Sequence, residues 1–532
     1  METITTLDMA VVDRNCEYLG IPRRILMENA GRGVAEVIRS RFGKCRVTVV
    51  AGLGDNGGDG IVAARYLHEW GCDVKIVLLG RAQDFRSDLA RTNYEICKLL
   101  GIETFEVSSP LELQDVYDLI ITWCDVLVDA IIGTGLRGAL REPQYTAIRM
   151  INMSRAKKVA VDVPSGLDPD TGQVSDTAVI ADITVTMHKP KPGLLMESAK
   201  RYVGELIVVD IGIPREAEHV VGPGDLLYLN WKRRKESKKG DHGRVVIVGG
   251  SLEFSGAPTL AALACYRSGV DLVTVVAPEA AAHDVRAGNP NIIAYPVKGD
   301  YFRPEHVDEI LKICERAHAV LIGPGLGTRE ETMKFVVELL RKLQQTNIRI
   351  VIDADAIKAI AQLNARELLT NNVVVTAHAG EFRQLIGDVP KIANIWKRAE
   401  EVRNLVEQRT RGAVVVLKGN VDIVTDGNRY KLNLTGNPAM TVGGTGDILS
   451  GTVAGLVTKT HDIFEAACIA TFIVGLAGDL AAIEKGYHIL PTDVLEKMPT
   501  VFTTLLNERQ EIRNILHTPS RNIIKDLGLV EG

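Results

Sequence analysis

Short runs of consecutive β-branched and apolar residues, each trailed by a helical pattern, recur along the whole chain and leave few folds open to it. In the first half they read RVTVV (46–50), VKIVLL (74–79), VLVDAII (126–132), KVAVDV (158–163), ITVTM (183–187) and ELIVVDI (205–211). Helical patterns at 61–70, 89–100 and 145–153 separate several of them, and a helical arm over 7–40 precedes the first. Runs that are apolar at successive positions suit strands buried on both faces. That implies a mostly parallel sheet covered by helices. The pattern breaks over 213–239, where Pro214, the turn VGPGD (221–225) and the basic run KRRKESKK (232–239) fall together. It restarts with RVVIVGG (244–250), LVTVVAP (272–278), IIAYPV (292–297), AVLIGPG (319–325), RIVIDAD (349–355), NVVVTAH (372–378) and AVVVLKG (413–419). Two late helical runs, 447–457 and 463–485, close it. The expectation is two tandem α/β domains, 1–220 and 239–510, joined by a linker at 221–238 and followed by a tail at 511–532.

A chain of 532 residues with 46% apolar and 24% charged residues has material for two independent cores. Its net charge of −5 lacks the basic footprint of a general nucleic-acid or membrane-surface binder. The basic run at 232–239 reads as a solvated linker. Eight scattered cysteines form no C-x-x-C pair, so reduced thiols are expected rather than a zinc or disulfide framework. Neither a signal pattern nor a membrane span is expected, and the chain reads as cytoplasmic.

AGLGDNGGDG (51–60) follows the first strand and precedes a helix. Its glycines permit positive φ and close ligand approach. Its N–H groups and the helix N-terminus suit an anion. Yet it also carries Asp55 and Asp59. Two further strand ends bring acids: Asp129 in VDAIIGTGLRGAL (128–140), then Asp162, Ser165 and Asp168 in VAVDVPSGLDPDTG (159–172). Strand C-termini of an open α/β sheet converge on one crevice, so Asn56, Asp59, Asp129, Asp162 and Ser165 are expected to share a pocket. A cation bridging these oxygens and a bound phosphate reconciles the acids with the anion. Oxygen ligands without His or Cys favour a hard cation, either a large monovalent ion or magnesium.

These motifs, with LGIPRRILMENAGRGVAEVI (19–38), resemble the YjeF N-terminal family of NAD(P)HX epimerases over roughly the first 215 residues. The resemblance implies a Rossmann-like three-layer sandwich. Its substrate would be NADH or NADPH hydrated at C6 of the nicotinamide, that is NADHX or NADPHX. It also implies a potassium ion held by Asn56, Asp129 and Ser165. Substrate contacts are then expected from Asp55, Asn56, Gly57, Gly58 and Asp59, and from Gly133, Thr134, Gly135, Leu136, Arg137, Gly138 and Ala139. Asp162 is the expected acid/base. Asp55 departs from the family's usual Asn.

In the second half, NPAMTVGGTGDILSG (437–451) places Asp447 at the start of a helix, behind Gly443, Gly444 and Gly446. GGTGD resembles the ribokinase-like superfamily, in which the glycines form an anion hole and the Asp deprotonates the acceptor hydroxyl. VIVGGSLEFSGAPTLAALACYRSG (246–269), IGPGLG (322–327), DADAI (353–357), TAHAGEFRQL (376–385) and LKGNVDIV (417–424) extend the likeness. Over about 235–505 they resemble the YjeF C-terminal family of ADP- or ATP-dependent (S)-NAD(P)HX dehydratases. That implies substrate contacts at Ala257, Gly325, Gly327, His378 and Asp447. It implies nucleotide contacts at Lys418, Gly419, Asn420, Val421, Asp422 and Gly446, with Mg2+ accompanying ADP or ATP. The family commonly reads P-H-P-G-E where this chain has Ala377 and Ala379, so looser positioning of His378 is expected.

The leading expectation is a bifunctional nicotinamide-nucleotide repair enzyme. The rival is a ribokinase-like small-molecule kinase with a noncatalytic N-terminal binding or scaffold domain. Partners are expected to be small molecules, with no nucleic acid and no membrane, and the chain is expected to self-associate.

Overall fold

The computed structural model describes residues 2–135 and 138–506. The chain divides into two compact units, Met1–Arg215 and Glu216–Gly532. The first is built on seven parallel strands: β1 (Arg46–Ala51), β2 (Asp73–Leu79), β3 (Glu103–Val107), β4 (Val126–Ala130), β5 (Lys157–Val161), β6 (Ile183–Met187) and β7 (Glu205–Val209). Their order is β3-β2-β1-β4-β5-β6-β7, so the strand order reverses beside β1. That is where an open sheet leaves a crevice. Helices α1 (Thr6–Tyr18), α2 (Arg23–Phe42) and α3 (Asp55–Glu69) form the helical layer that meets this crevice. β3 escapes the sequence pattern because its residues ETFEV carry two glutamates and lie half-exposed at a sheet edge.

The second unit holds β8 (Arg244–Val248), β9 (Leu272–Pro278), β10 (Ile293–Val297), β11 (Ala319–Ile322), β12 (Arg349–Asp353), β13 (Val373–His378), β14 (Val414–Lys418), β15 (Asp422–Thr425) and β16 (Tyr430–Asn433). The order is β10-β9-β8-β11-β12-β13-β14-β15-β16, parallel except for the antiparallel run from β14 to β16. β15 and β16 are four residues each and too polar to register as apolar runs.

Part of the stretch read as a linker belongs to this second unit. Val221 N donates to Leu432 O at 2.9 Å, so the chain lines the free edge of β16. Asp225 is fully buried and pairs with Lys431. A buried carboxylate with a buried ammonium partner fixes the chain there and gives the sheet edge a cover.

The late helical run expected at 463–485 is the helix Ile463–Lys485. It is long and apolar enough to cross a membrane, with a mean hydropathy of 2.0 over its best window, but 83% of that window is buried inside the unit. It is a core helix, apolar all round because protein surrounds it.

The helix that carries Asp447, Thr445–Leu456, packs closely on Gly256–Arg267. Gly451 makes this possible, since a Cβ there would run into the Ala261 carbonyl. Gly451→Ala is expected to lower stability by about 2 kcal/mol, despite alanine's better helix propensity, because the collision is with backbone that cannot rotate away. Thermal melting of the full chain checks this.

Candidate active sites

In the first unit the glycine-rich stretch differs from its sequence reading. Only 52–54 is a loop, and Asp55 to Asp59 form the start of α3. None of Gly52, Gly54, Gly57, Gly58 and Gly60 has a positive φ. The glycines serve close packing instead: a Cβ at Gly57 would strike the Gly52 carbonyl, and one at Gly60 would strike Ala130. The strand can thus run directly into the helix, whose unpaired first N–H groups open on a cavity of about 460 Å3.

That cavity lies at the C-terminal strand ends. Asn56, Asp59, Gly133, Thr134, Gly135 and Asp162 line it, and so does Asp55. Gly57 and Gly58 do not, because they are buried, with Gly58 against Met27. Gly138 and Ala139 also do not line it. Leu136 and Arg137 lie outside the described residues. Asp55 is at the rim, where it pairs with Arg23 at 2.9 Å and accepts from Ser87 Oγ at 2.6 Å. Its charge is thereby partly neutralised within the rim.

Of the three expected ion ligands, Asp129 and Ser165 are bonded to each other but do not line this cavity, against the expectation that they share it, whereas Asn56 does line it. Asp129 lies next to last in β4, flanked in register by Val50 and Ala160. Ser165 donates to it twice, Oγ to Oδ1 at 2.6 Å and N to Oδ2 at 2.8 Å. Ile132 N donates to Ser165 Oγ at 2.9 Å, and Asn56 Oδ1 lies 2.7 Å from where a Cβ on Gly133 would stand. Burial pushes the Asp129 carboxyl up to about 6 against the pull of the Ser165 and Ile131 donors, and no cationic side chain among the described residues acts on it.

Asp162 follows β5 at φ 63°, a conformation rare for a non-glycine residue and held here by its surroundings. Its Oδ1 accepts from Thr186 Oγ1 at 3.0 Å, from Met187 N at 3.2 Å and from Lys191 Nζ. Oδ2 has no such partner among the described residues. Lys191, 1% exposed, is absent from the sequence reading. Its only signal is a basic residue between prolines in HKPKPG (188–193), just past a strand.

In the second unit Asp447 stands in the first turn of Thr445–Leu456, a helix entered through Gly444 at φ 105°. Only glycine takes that backbone without strain. The Asp447 carboxyl has no hydrogen bond among the described residues. Burial pushes it up to about 7, Asp353 adds to the rise, Lys418 opposes it and Asp355 adds further.

Lys418 ends β14, with Nζ 3.3 Å from Asp353 Oδ1 and 3.5 Å from where a Cβ on Gly446 would stand. Burial disfavours its ammonium, but Asp353 and Glu381 outweigh this and raise its pKa. Ala354, between Asp353 and Asp355, has φ 49°, a second strained non-glycine position at a site.

Gly325 and Ala257 adjoin, with 3.5 Å between their Cβ positions, and Gly327 N donates to Asp355 Oδ2 at 2.9 Å. His378, between its flanking alanines, takes part in hydrogen bonds that hold the loop. Its Nδ1 accepts from Gly380 N and Glu381 N while Glu381 Oε2 accepts from His378 N, a reciprocal cap on Ala379–Leu385. That cap leaves the imidazole 59% exposed.

A separate cavity of about 520 Å3 is lined by Lys418, Gly419, Asn420, Asp422 and Gly446 among others. Val421 is buried and does not line it. Asp422 shapes the turn by accepting from Gly419 N and Asn433 Nδ2, both at 3.0 Å. Lys418 and Gly446 belong both to this cavity and to the Asp447 cluster. Among the described residues no three His, Cys, Asp or Glu side chains are grouped to hold a metal by themselves.

Residues 245–500 match the family model described as NAD(P)H-hydrate dehydratase, and residues 23–193 match that of the YjeF-related protein N-terminus. The bifunctional NAD(P)H-hydrate repair enzyme Nnr of Pyrobaculum aerophilum is 52% identical over 94% of this chain and 98% of its own length. This chain belongs to the bifunctional NAD(P)H-hydrate repair enzyme family. The Hyperthermus butylicus member is 44% identical over 94% of this chain and 92% of its own. A solved ADP/ATP-dependent NAD(P)H-hydrate dehydratase from Bacillus subtilis, co-crystallised with ATP and Mg2+, is 26% identical. It covers 54% of this chain and 98% of its own, with a TM-score of 0.45. Within this family frame, Lys191, Asp353 and Glu381 join the residues singled out from sequence.

Proposed function

We propose that the first unit interconverts (R)- and (S)-NAD(P)HX and that the second dehydrates (S)-NAD(P)HX to NAD(P)H at the expense of ADP or ATP. The observation that carries the reading is the state of Asp447. It is a carboxyl without a hydrogen-bond partner at a glycine-entered helix start, beside the Lys418–Asp353 pair, with a nucleotide-sized cavity sharing Gly446 and Lys418.

Asp447 takes the proton of the C6 hydroxyl as its oxygen attacks the terminal phosphorus of the nucleotide, which departs one phosphate shorter. The C6–O bond then breaks with its electrons on phosphate, the N1 lone pair assists, and loss of a C5 proton restores the C5=C6 double bond. Hydroxide is a poor leaving group and phosphate a good one. Lys418 and the N–H groups at 444–446 offset the charge on the phosphoryl oxygens. Mg2+ on the nucleotide phosphates would spread the charge of the transferred group. Among the described residues no three metal-ligating side chains are grouped, so its shell would be made largely of phosphate and water oxygens.

In the first unit the reading assigns potassium to Asn56, Asp129 and Ser165. Among the described residues Asp129 is a fully buried carboxyl without a cationic partner, in a set of oxygen donors bearing one charge, and that fits a large monovalent ion.

Purified protein given mixed-epimer NADHX is expected to regenerate NADH completely with its nucleotide, and from (S)-NADHX alone once the first unit is disabled. Replacing potassium by lithium is expected to slow epimerisation and spare dehydration of pure (S)-NADHX. Accumulation of a stable phosphorylated product without NADH would instead establish a kinase.

A further inference from the structure

Asp13 sits on the face of α1 that covers the epimerase cavity, in line with Thr6, Met9 and Ala10, all four of which line it. The helix is fastened in place. Ile4 N donates to Pro190 O at 3.0 Å, and Thr6 gives its N–H and its hydroxyl to the two oxygens of Asp170 at 2.9 and 2.6 Å. Asp13 is therefore held over the cavity rather than carried on a loose end.

Its carboxyl has no hydrogen-bond or ion-pair partner among the described residues, whereas Asp162 Oδ1 receives three donors. The charged groups facing it are Arg23 from α2, Asp55 and Asp59 from α3, Asp162 past β5 and Lys191 past β6. Arg86 lines the same cavity. Burial is the largest influence on Asp13 and lifts it to about 6. Arg23 and Lys191 pull it down, and Asp162 and Asp55 push it up. Two carboxyls in one cavity with such different partners are how one site holds an acid and a base together.

Resting on the epimerase reading, we infer that Asp13 is a second catalytic residue of that site, the proton donor that works opposite Asp162 at C6 of the hydrated nicotinamide. Asp13 gives its proton to the C6 hydroxyl. The C6–O bond breaks with its electron pair leaving on water, and the N1 lone pair closes an N1=C6 double bond. Water adds to the other face of C6, the double-bond pair returns to N1, and the released proton goes to Asp162 Oδ2. The carbon is inverted and one proton has passed from Asp13 to Asp162. The reverse reaction or exchange with solvent restores it.

The test compares the full chain with its Asp13→Asn variant in potassium, using pure (R)-NADHX, with melting curves of both proteins as the control for folding and dehydration of pure (S)-NADHX as the control for the second unit. Wild-type kcat/KM for epimerisation is expected to fall as pH rises through about 6, where the acid loses its proton. Asp13→Asn is expected to lose that limb and about 100-fold in kcat, with KM within about threefold and dehydration unchanged. Epimerisation within threefold of wild type, a surviving limb, or a loss confined to KM would overturn the inference. A wild-type chain that does not epimerise at all would overturn the epimerase reading itself.

Discussion

Asp447→Asn is expected to lower dehydration of (S)-NADHX about a thousandfold, to leave epimerisation intact, and to make the chain more stable above neutral pH. The first effect follows from losing the group that takes the hydroxyl proton. Wild-type kcat/KM for dehydration is correspondingly expected to rise as pH rises through about 7, where the carboxyl becomes ionised. The stability effect has the opposite sign. Asp447 has a higher pKa folded than unfolded, so the fold favours its protonated form. Its contribution is fully present below about pH 4, the ordinary range of an aspartate, and is lost as pH rises through about 7. Asparagine carries no charge to bury. The variant is therefore expected to gain on the order of a few kcal/mol at pH 8 and nothing at pH 4. Melting curves without nucleotide at the two pH values, beside assays of both activities, check this. A variant that is inactive and also less stable at pH 8 would mean that the residue serves the fold instead.

The two sheets were legible because parallel strands buried on both faces write themselves as continuous apolar runs. β3 was not, because an edge strand has one side free for polar residues, and β15 and β16 were not, because at four residues each with polar positions they are too short to read as apolar runs. The acids at two strand ends were legible for a related reason: Asp129 and Asp162 each interrupt or end an apolar run, where a charge needs explaining. Their partners were not. Lys191 lies 29 residues beyond Asp162 and reaches it only because β6 pairs beside β5. Lys418 meets Asp353 across 65 residues by the same logic. Asp13 sits in a stretch that reads from sequence only as a helical arm. The glycines of 52–60 were legible as important but not for their reason, since close packing against carbonyls leaves no mark that distinguishes it from a need for positive φ.

The Asp162–Lys191 pair yields the other large expected effect. Lys191 is 1% exposed, and its ammonium also lies near Thr186 Oγ1 at 3.3 Å and the Met187 carbonyl at 3.4 Å. Removing either charge strands the other in the interior. Asp162→Asn and Lys191→Met are each expected to destabilise the chain by about 3–5 kcal/mol. Asp162→Asn loses a cation's counter-charge. Lys191→Met leaves a carboxylate with only the Thr186 hydroxyl and the Met187 N–H. The double variant removes both desolvation costs at once and replaces an ammonium chain with an apolar one of similar length, so most of that stability is expected to return. Epimerisation is not expected to return, because Asp162 Oδ2 is gone as a proton acceptor, while dehydration persists in all three. Stability and activity thus separate within one cycle of four proteins, measured by melting and by both assays. A double variant as unstable as the sum of its parents would mean that the two residues do not act as a pair. One that epimerises would mean that Asp162 only anchors Lys191, leaving the chemistry to other groups in the cavity.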